Sequence, residues 1–587
     1  MLRTLVLGAV VLAATIGPLS GVAGALTIYP IDRAEILLGS RFDVKVEFDG
    51  VVSETAVKIS VNGADPVSVL GRPLQFVARE QGVDASAAIA RDVALDKPGT
   101  YTISASDGTA TRMVTWTVFA TGPRKARNVI LFIGDGLSVA HRTAARILSK
   151  GIVEGKYKGE LAMDAMPHMA LVGTSGVDSV ITDSANSMSA YTTGHKSSVN
   201  ALGVYAARST NNFEHPKVET IAELIKRRTK MAVGVVSDAE VQDATPAGVV
   251  AHTRRRSDKA EITEMFFLSR VDVLMGGGLA YFLPQGVSGS KRKDGNDFIE
   301  LFRRDGYAYA ASDGEMKEHA AKPGTTKLLG LFHPENMDGA LDRRVLKQGT
   351  VSKFPAQPDV ADMTRAAIQV LSRNQDGFFL MVEAALIDKF NHPLDWERAV
   401  FDTIMLSNAV QVAKDFAGKR NDTLIIVTPD HTHGLAIVGT VDDSKPGADM
   451  REKVGTYAEA GYPNYPAPDK DGYPPSVDVS KRLAVFFADF PDYYETYRPK
   501  LDGPFEPAVK DATGKQYAAN EKYKDGAQLR GGNLPRSSDV GVHAADDAVL
   551  TAMGPGSEKF RGFMDNTEVF RVIADTLGLA PGAKAAR

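Results

Sequence analysis

The sequence predicts an α/β fold, a mostly parallel central sheet flanked by helices, preceded by a small β-sandwich. Three observations carry this: short alternating strands before about residue 121, continuous apolar runs such as Val129-Ile130-Leu131-Phe132-Ile133 after it, and helical patterns interleaved with those runs.

At 587 residues the chain exceeds one ordinary core, and roughly two to four domains are expected. Apolar residues make up 44% and charged residues 24%, as in globular proteins. With 68 basic and 72 acidic residues the formal charge is −4, which gives no field for nucleic acid or an anionic membrane, so neither is expected as a partner. Residues 1–25 read as a signal peptide: Arg3 is the only charge, Leu5 to Ile16 is an apolar core, and Ala23-Gly24-Ala25 is a small-residue cleavage site. Cleavage after Ala25 removes Arg3 and takes the charge from −4 to −5. The apolar run is too short to span a bilayer comfortably and no later one is longer, so no transmembrane anchor is expected, and a periplasmic or secreted location is. The chain has no cysteine, so stability comes from packing and bound metal rather than disulfides.

Residues 26–121 alternate apolar and polar side chains between turns. Phe42 to Phe48 precedes Asp49-Gly50, Val57 to Val61 precedes Asn62-Gly63, Tyr101 to Ser104 precedes Asp107-Gly108, and Val114 to Phe119 closes the set. Around seven such strands predict an immunoglobulin-like β-sandwich, read as a spacer or an oligomer contact. Residues 122–587 then form the α/β part. After Val129 to Ile133, further strands are expected at Ala232 to Val236, Val271 to Met275, Phe378 to Val382, Leu424 to Val427, Leu483 to Phe487 and Val549 to Met553. Helices are expected at Glu219 to Arg228 and Met363 to Ser372. Ser257 to Pro358 reads as a helix, a Gly276-Gly277-Gly278 turn and much loop, and about 442–539, rich in Tyr, Pro, Gly and Lys, as an inserted lobe over the sheet.

The chemistry gathers where strands end. The first apolar run leads into Gly134-Asp135-Gly136, the Phe378 run into Glu383 and then Asp388-Lys389-Phe390-Asn391-His392, and the Leu424 run into Asp430-His431-Thr432-His433; His543 precedes the Val549 run. Ligands in such sheets bind beyond the carboxyl ends of the strands. Carboxylate oxygen with neutral imidazole is a zinc ligand set, and carboxylate with hydroxyl oxygen suits magnesium. Asp388 and His392, four apart, share a face if that segment is helical. Asp183-Ser184-Ala185 sets a serine beside an acid at a plausible helix start, which suits an N-cap and also a nucleophile awaiting an activator.

These segments, with Gln242-Asp243-Ala244-Thr245-Pro246 and Val382 to Lys389, resemble those of alkaline phosphatases over roughly Arg127 to Leu579. The resemblance implies an alkaline phosphatase-like fold and an exported enzyme that hydrolyses small phosphate monoesters through a phosphoserine on Ser184. It implies that Asp388, His392 and His543 hold one zinc and that Asp135, Asp430 and His431 hold a second. Asp135 would also bridge to a magnesium completed by Thr245 and Glu383. Arg256, or Arg255 one residue earlier, would clamp the phosphate, and Asp183 would orient that clamp. Asp243 and Lys389 match a pairing seen in members that keep magnesium at the third site. A homodimer is what the family suggests. His433 and His195 are left out of the site: the first has a place beside the substrate or behind the metal ligands as its alternative, but each reads as a surface histidine.

Two other readings remain. A phosphodiesterase or sulfatase of the same superfamily would use similar ligands, but a guanidinium clamp favours a monoester dianion. A non-catalytic, exported surface-binding protein would have no need of so many metal ligands together.

Overall fold

The apolar runs become the middle of one ten-stranded sheet in the computed structural model, which describes residues 26–80 and 82–582. Its strands in chain order are β1 (Asn128–Gly134), β2 (His168–Gly173), β3 (Ala232–Glu240), β4 (Val273–Gly277) and β5 (Ala308–Ala310). They continue with β6 (Leu328–Leu331), β7 (Phe378–Ala384), β8 (Thr423–Thr428), β9 (Ala548–Met553) and β10 (Arg561–Asp565). The spatial order is β5-β6-β4-β3-β7-β1-β8-β9-β2-β10. Every pairing is parallel except the two made by β9.

The continuous apolar runs are explained by helices on both faces. Ile130 and Phe132 join Leu380, Val382 and Ile425 in one core, under helices α1 (Val139–Lys150), α4 (Val360–Leu371) and α6 (Trp396–Ala417). Val129, Leu131 and Ile133 point the other way, into a second core with α3 (Ile221–Arg228) and the helix Asn566–Leu577. All five are fully buried, and each such side chain contributes about 1.5–3 kcal/mol.

Ahead of this sheet, two four-stranded sheets pack face to face. One holds Thr27–Tyr29, Phe42–Glu47, Ala87–Val93 and Gln75–Val77; the other holds Glu35–Leu37, Thr111–Phe119, Gly99–Ser106 and Lys58–Val61. Trp116 fills the space between them, edge-on to Phe42 at 5.8 Å, its indole N–H donating to the Pro30 carbonyl at 3.0 Å.

Two expectations need correction. Leu483 to Phe487 does form a strand, but Lys481–Phe487 pairs antiparallel with Leu435–Asp442 in a separate three-stranded sheet. An apolar run of that length looks alike in either sheet. Ser257 to Pro358 holds more than a helix and loop: besides β4, expected at Val271 to Met275, it supplies β5 and β6, and Gly276 and Gly277 end β4 rather than make a turn. Gly277 is required there because the Glu335 carbonyl sits where a Cβ would project. The proposed signal peptide lies outside the described residues. Among the described residues, no helix is long and apolar enough to cross a membrane.

A candidate metal and phosphate site

Strand direction assembles the site. Strands β1, β7 and β8 run parallel, so Asp135, Glu383 and Asp430 arrive at one edge of the sheet. Strand β9 runs the other way, so its start is at that same edge, and His543 enters from just before it. The helix α5 (Leu386–Asn391) after β7 carries Asp388 and Lys389, with His392 at its C-terminal end.

Ser184 opens helix α2 (Ser184–Thr193), and Asp183 is its N-cap. The Asp183 carboxylate accepts from the Asn186 N–H at 3.1 Å, and the Asn186 side chain accepts from the Asp183 N–H at 2.9 Å. The cap reading and the nucleophile reading therefore describe adjacent residues of one turn. Ser184 is buried, and its Oγ lies 3.3 Å from His431 Nε2.

Around that serine two groups of ligand atoms converge. Asp135, Asp430 and His431 form one, and Asp388, His431, His433 and His543 the other, the atoms of each lying within 4.8 Å of one another. His431 Nε2 is 3.1 Å from Asp135 Oδ1 and 3.4 Å from Asp430 Oδ2, yet neither oxygen has a hydrogen-bond partner. Thr245 Oγ is likewise buried without a partner. Buried polar atoms left unpaired cost about 1–3 kcal/mol each, and a cation bound among them removes that cost. Burial, with the neighbouring Asp135 and Asp388, raises the Asp430 carboxyl well above the usual carboxylate range. Burial and Asp135 do the same to Glu383, whose carboxylate accepts from the Ser237 hydroxyl. Carboxylates crowded in this way fit divalent metal.

His392 sits at the margin. Its Nε2 is 3.3 Å from Asp388 Oδ1, and its Nδ1 donates to the Gly541 carbonyl at 2.7 Å, but it is not among the four mutually close ligand atoms. Burial opposes its charge, but Asp388 prevails and pushes the imidazole up to about 9. His543 Nδ1 donates to the Thr182 carbonyl at 2.8 Å, leaving Nε2 3.4 Å from Asp388.

The two histidines read as surface groups are both buried. His433 donates to Asp388 Oδ1 at 2.7 Å, and burial holds its pKa well below the ordinary histidine value. The signal in the sequence is spacing: His433 follows His431 by two residues, and the bend at Asp430 and His431 carries it inward as well. His195, 4% exposed, hydrogen-bonds the Tyr205 hydroxyl at 2.7 Å.

A basic arm closes the other side. Arg256 reaches Asp243 at 2.9 Å and Asp183 at 3.6 Å, while Lys389 reaches Asp243 at 3.0 Å and Asp388 at 3.3 Å. Burial alone would raise the Asp243 carboxyl, but Lys389 and Arg256 outweigh it and hold it far below the usual range. Arg255, the alternative clamp, is exposed.

The alkaline phosphatase family model matches residues 126–579, more than three quarters of the chain. The chain belongs to the alkaline phosphatase family. This phosphatase is therefore a phosphomonoester hydrolase of a metal-dependent family. It is 35% identical to the alkaline phosphatase of Escherichia coli over 362 residues, 55% of this chain and 74% of that protein. It is also 35% identical to alkaline phosphatase H of Pseudomonas aeruginosa over 352 residues, covering 54% and 71%. The fold matches the crystal structure of Thermus thermophilus alkaline phosphatase with a TM-score of 0.55 at 22% identity, over 78% of this chain and 93% of that one.

Proposed function

We propose that this phosphatase is exported and hydrolyses phosphate monoesters through a phosphoserine on Ser184. The observation that carries the reading is the position of Ser184 Oγ at the start of a helix, 3.3 Å from His431, the residue common to both ligand groups.

Two zinc ions fit the proposal: Asp388, His392 and His543 would hold one and Asp135, Asp430 and His431 the other, and Asp135, Thr245 and Glu383 would hold a magnesium. Bound there, such ions supply Lewis acidity that lowers the pKa of a nearby hydroxyl and neutralises charge on a departing oxygen. Ser184 Oγ attacks phosphorus in line, and the ester oxygen leaves from the opposite side. The Arg256 guanidinium and the backbone N–H groups at the start of α2 hold the remaining phosphoryl oxygens. Asp183 and Asp243 fix Arg256 on two sides, and Lys389 adds positive charge beside it. Water then hydrolyses the phosphoserine. Because a serine alkoxide must form, the rate optimum lies above neutrality.

Residues 26–121 are proposed as a separate domain, and a homodimer is proposed as the assembly. Monoester and diester substrates with the same leaving group test the assignment. The monoester is expected to turn over faster, with activity lost to chelator and restored by zinc with magnesium. A faster diester, or activity indifferent to chelation, would overturn it.

A further inference from the structure

The sandwich is tied to the segments that carry Arg256 and Asp183 by a series of backbone and side-chain hydrogen bonds. On the sandwich strand Phe42–Glu47, the Asp43 N–H donates to the Lys217 carbonyl at 2.8 Å, and the Asp43 carboxylate accepts from the Lys217 N–H at 3.0 Å. Two residues away, across the Phe42–Val218 bridge, the exchange repeats. Glu219 N–H donates to the Arg41 carbonyl at 2.8 Å, and Arg41 N–H donates to the Glu219 carboxylate at 3.0 Å. Further along the strand, Lys45 Nζ donates to the Arg208 carbonyl at 2.7 Å, and Arg208 N–H donates to the Glu47 carboxylate at 2.6 Å. Lys45 and Glu47 are both nearly fully buried.

The excursion over residues 199–219 therefore lies against the sandwich, and its other side leads to the clamp. Val218 N–H donates to the Gly203 carbonyl at 3.0 Å, and Leu202 exchanges bonds of 2.8 and 2.9 Å with Thr253. The series ends at Asn200, which adopts a left-handed backbone with φ 69°. Its carbonyl accepts from the Arg256 N–H at 2.9 Å, and its own N–H donates to the Asp183 carboxylate at 2.9 Å. Asn200 thus touches both Arg256 and Asp183. A second connection runs through the nucleophile helix: His195, just beyond its end, bonds Tyr205, whose ring packs in the sandwich core.

We propose that the N-terminal sandwich is a positioning element of the phosphate clamp, acting through Asp43 and Asn200 to fix Arg256 and Asp183, rather than a spacer. The proposal rests on the clamp role given to Arg256 above. A guanidinium must be held in one orientation to bind a phosphoryl group with both ends of its fork, and a displacement of an ångström weakens that binding.

The test uses the full-length, metal-loaded enzyme with inorganic phosphate as the probe. In Asp43→Ala, the inhibition constant of inorganic phosphate and the KM of a monoester are expected to rise about tenfold, with bound metal unchanged. Glu47→Ala, which cuts a different rung, is expected to act in the same direction and serves if Asp43→Ala does not fold. In an Arg256→Ala background, Asp43→Ala is expected to add less than about twofold, because the group it positions is gone. A sandwich with only a structural role would lower the thermal midpoint and leave the phosphate constant where it was, and that result would overturn the proposal. So would effects of Asp43→Ala and Arg256→Ala that multiply. Arg256→Ala alone is read separately: if it leaves the phosphate constant unchanged, the clamp reading itself is wrong.

Discussion

The Arg256 guanidinium meets the Asp243 carboxylate at 2.9 Å through one terminal nitrogen and turns the other towards Asp183 at 3.6 Å. The two acids hold the fork in a fixed plane. Arg256→Ala is expected to lower kcat/KM on the order of 10²-fold, since under the proposed role a charge-assisted contact to the phosphoryl group would be lost. Arg256→Lys is expected to recover little of this, because a point charge cannot span both acids. Steady-state kinetics on a monoester check it; full recovery by lysine would show that charge alone matters.

His433 donates to the same Asp388 oxygen that His392 and His543 approach. By fixing that carboxylate it would set the angle at which Asp388 meets a bound metal. His433→Ala is expected to weaken zinc binding roughly 10- to 100-fold. Competition with a metal-chelating dye measures this, and an unchanged affinity would reduce His433 to packing.

A third expectation concerns pH. Glu397 is 2% exposed and its Oε2 has no hydrogen-bond partner. Burial raises its carboxyl to about 8, an effect that Lys500 opposes and Asp395 reinforces. An unfolded glutamate ionises near about 4.3. Its folded pKa is the higher one, so the unfolded chain loses its proton first. The contribution of Glu397 to stability is then full below about 4.3, falls as pH rises, and reaches its lowest level above about 8. Glu397→Gln is expected to flatten that fall and raise the thermal midpoint at pH 9 relative to the parent chain. A variant with the same pH profile as the parent would contradict it.

Much of this was legible in the sequence because burial on both faces of a sheet leaves an unmistakable apolar run. Val129 to Ile133 and Phe378 to Val382 are examples, and the carboxylates that follow them fall at one edge because the strands are parallel. Less was legible where position depends on distant partners. Nothing local says that Leu483 to Phe487 belongs to a different sheet, or that Lys217 lies against Asp43. Short strands such as Ala308–Ala310 carry too few residues for a period to show. His433 was hidden for another reason: the turn that directs Asp430 and His431 inward also buries the second imidazole, and only the spacing hints at it.

The claim on which the rest depends is that Ser184 takes the phosphoryl group. Metal-loaded enzyme quenched at low pH in the presence of a monoester, then digested and analysed by mass spectrometry, tests it directly. The expected result is a phosphorylated peptide carrying Ser184, absent from Ser184→Ala, whose turnover should fall by several orders of magnitude. A phosphorylated enzyme in Ser184→Ala, or parent-like turnover by that variant, would contradict the account.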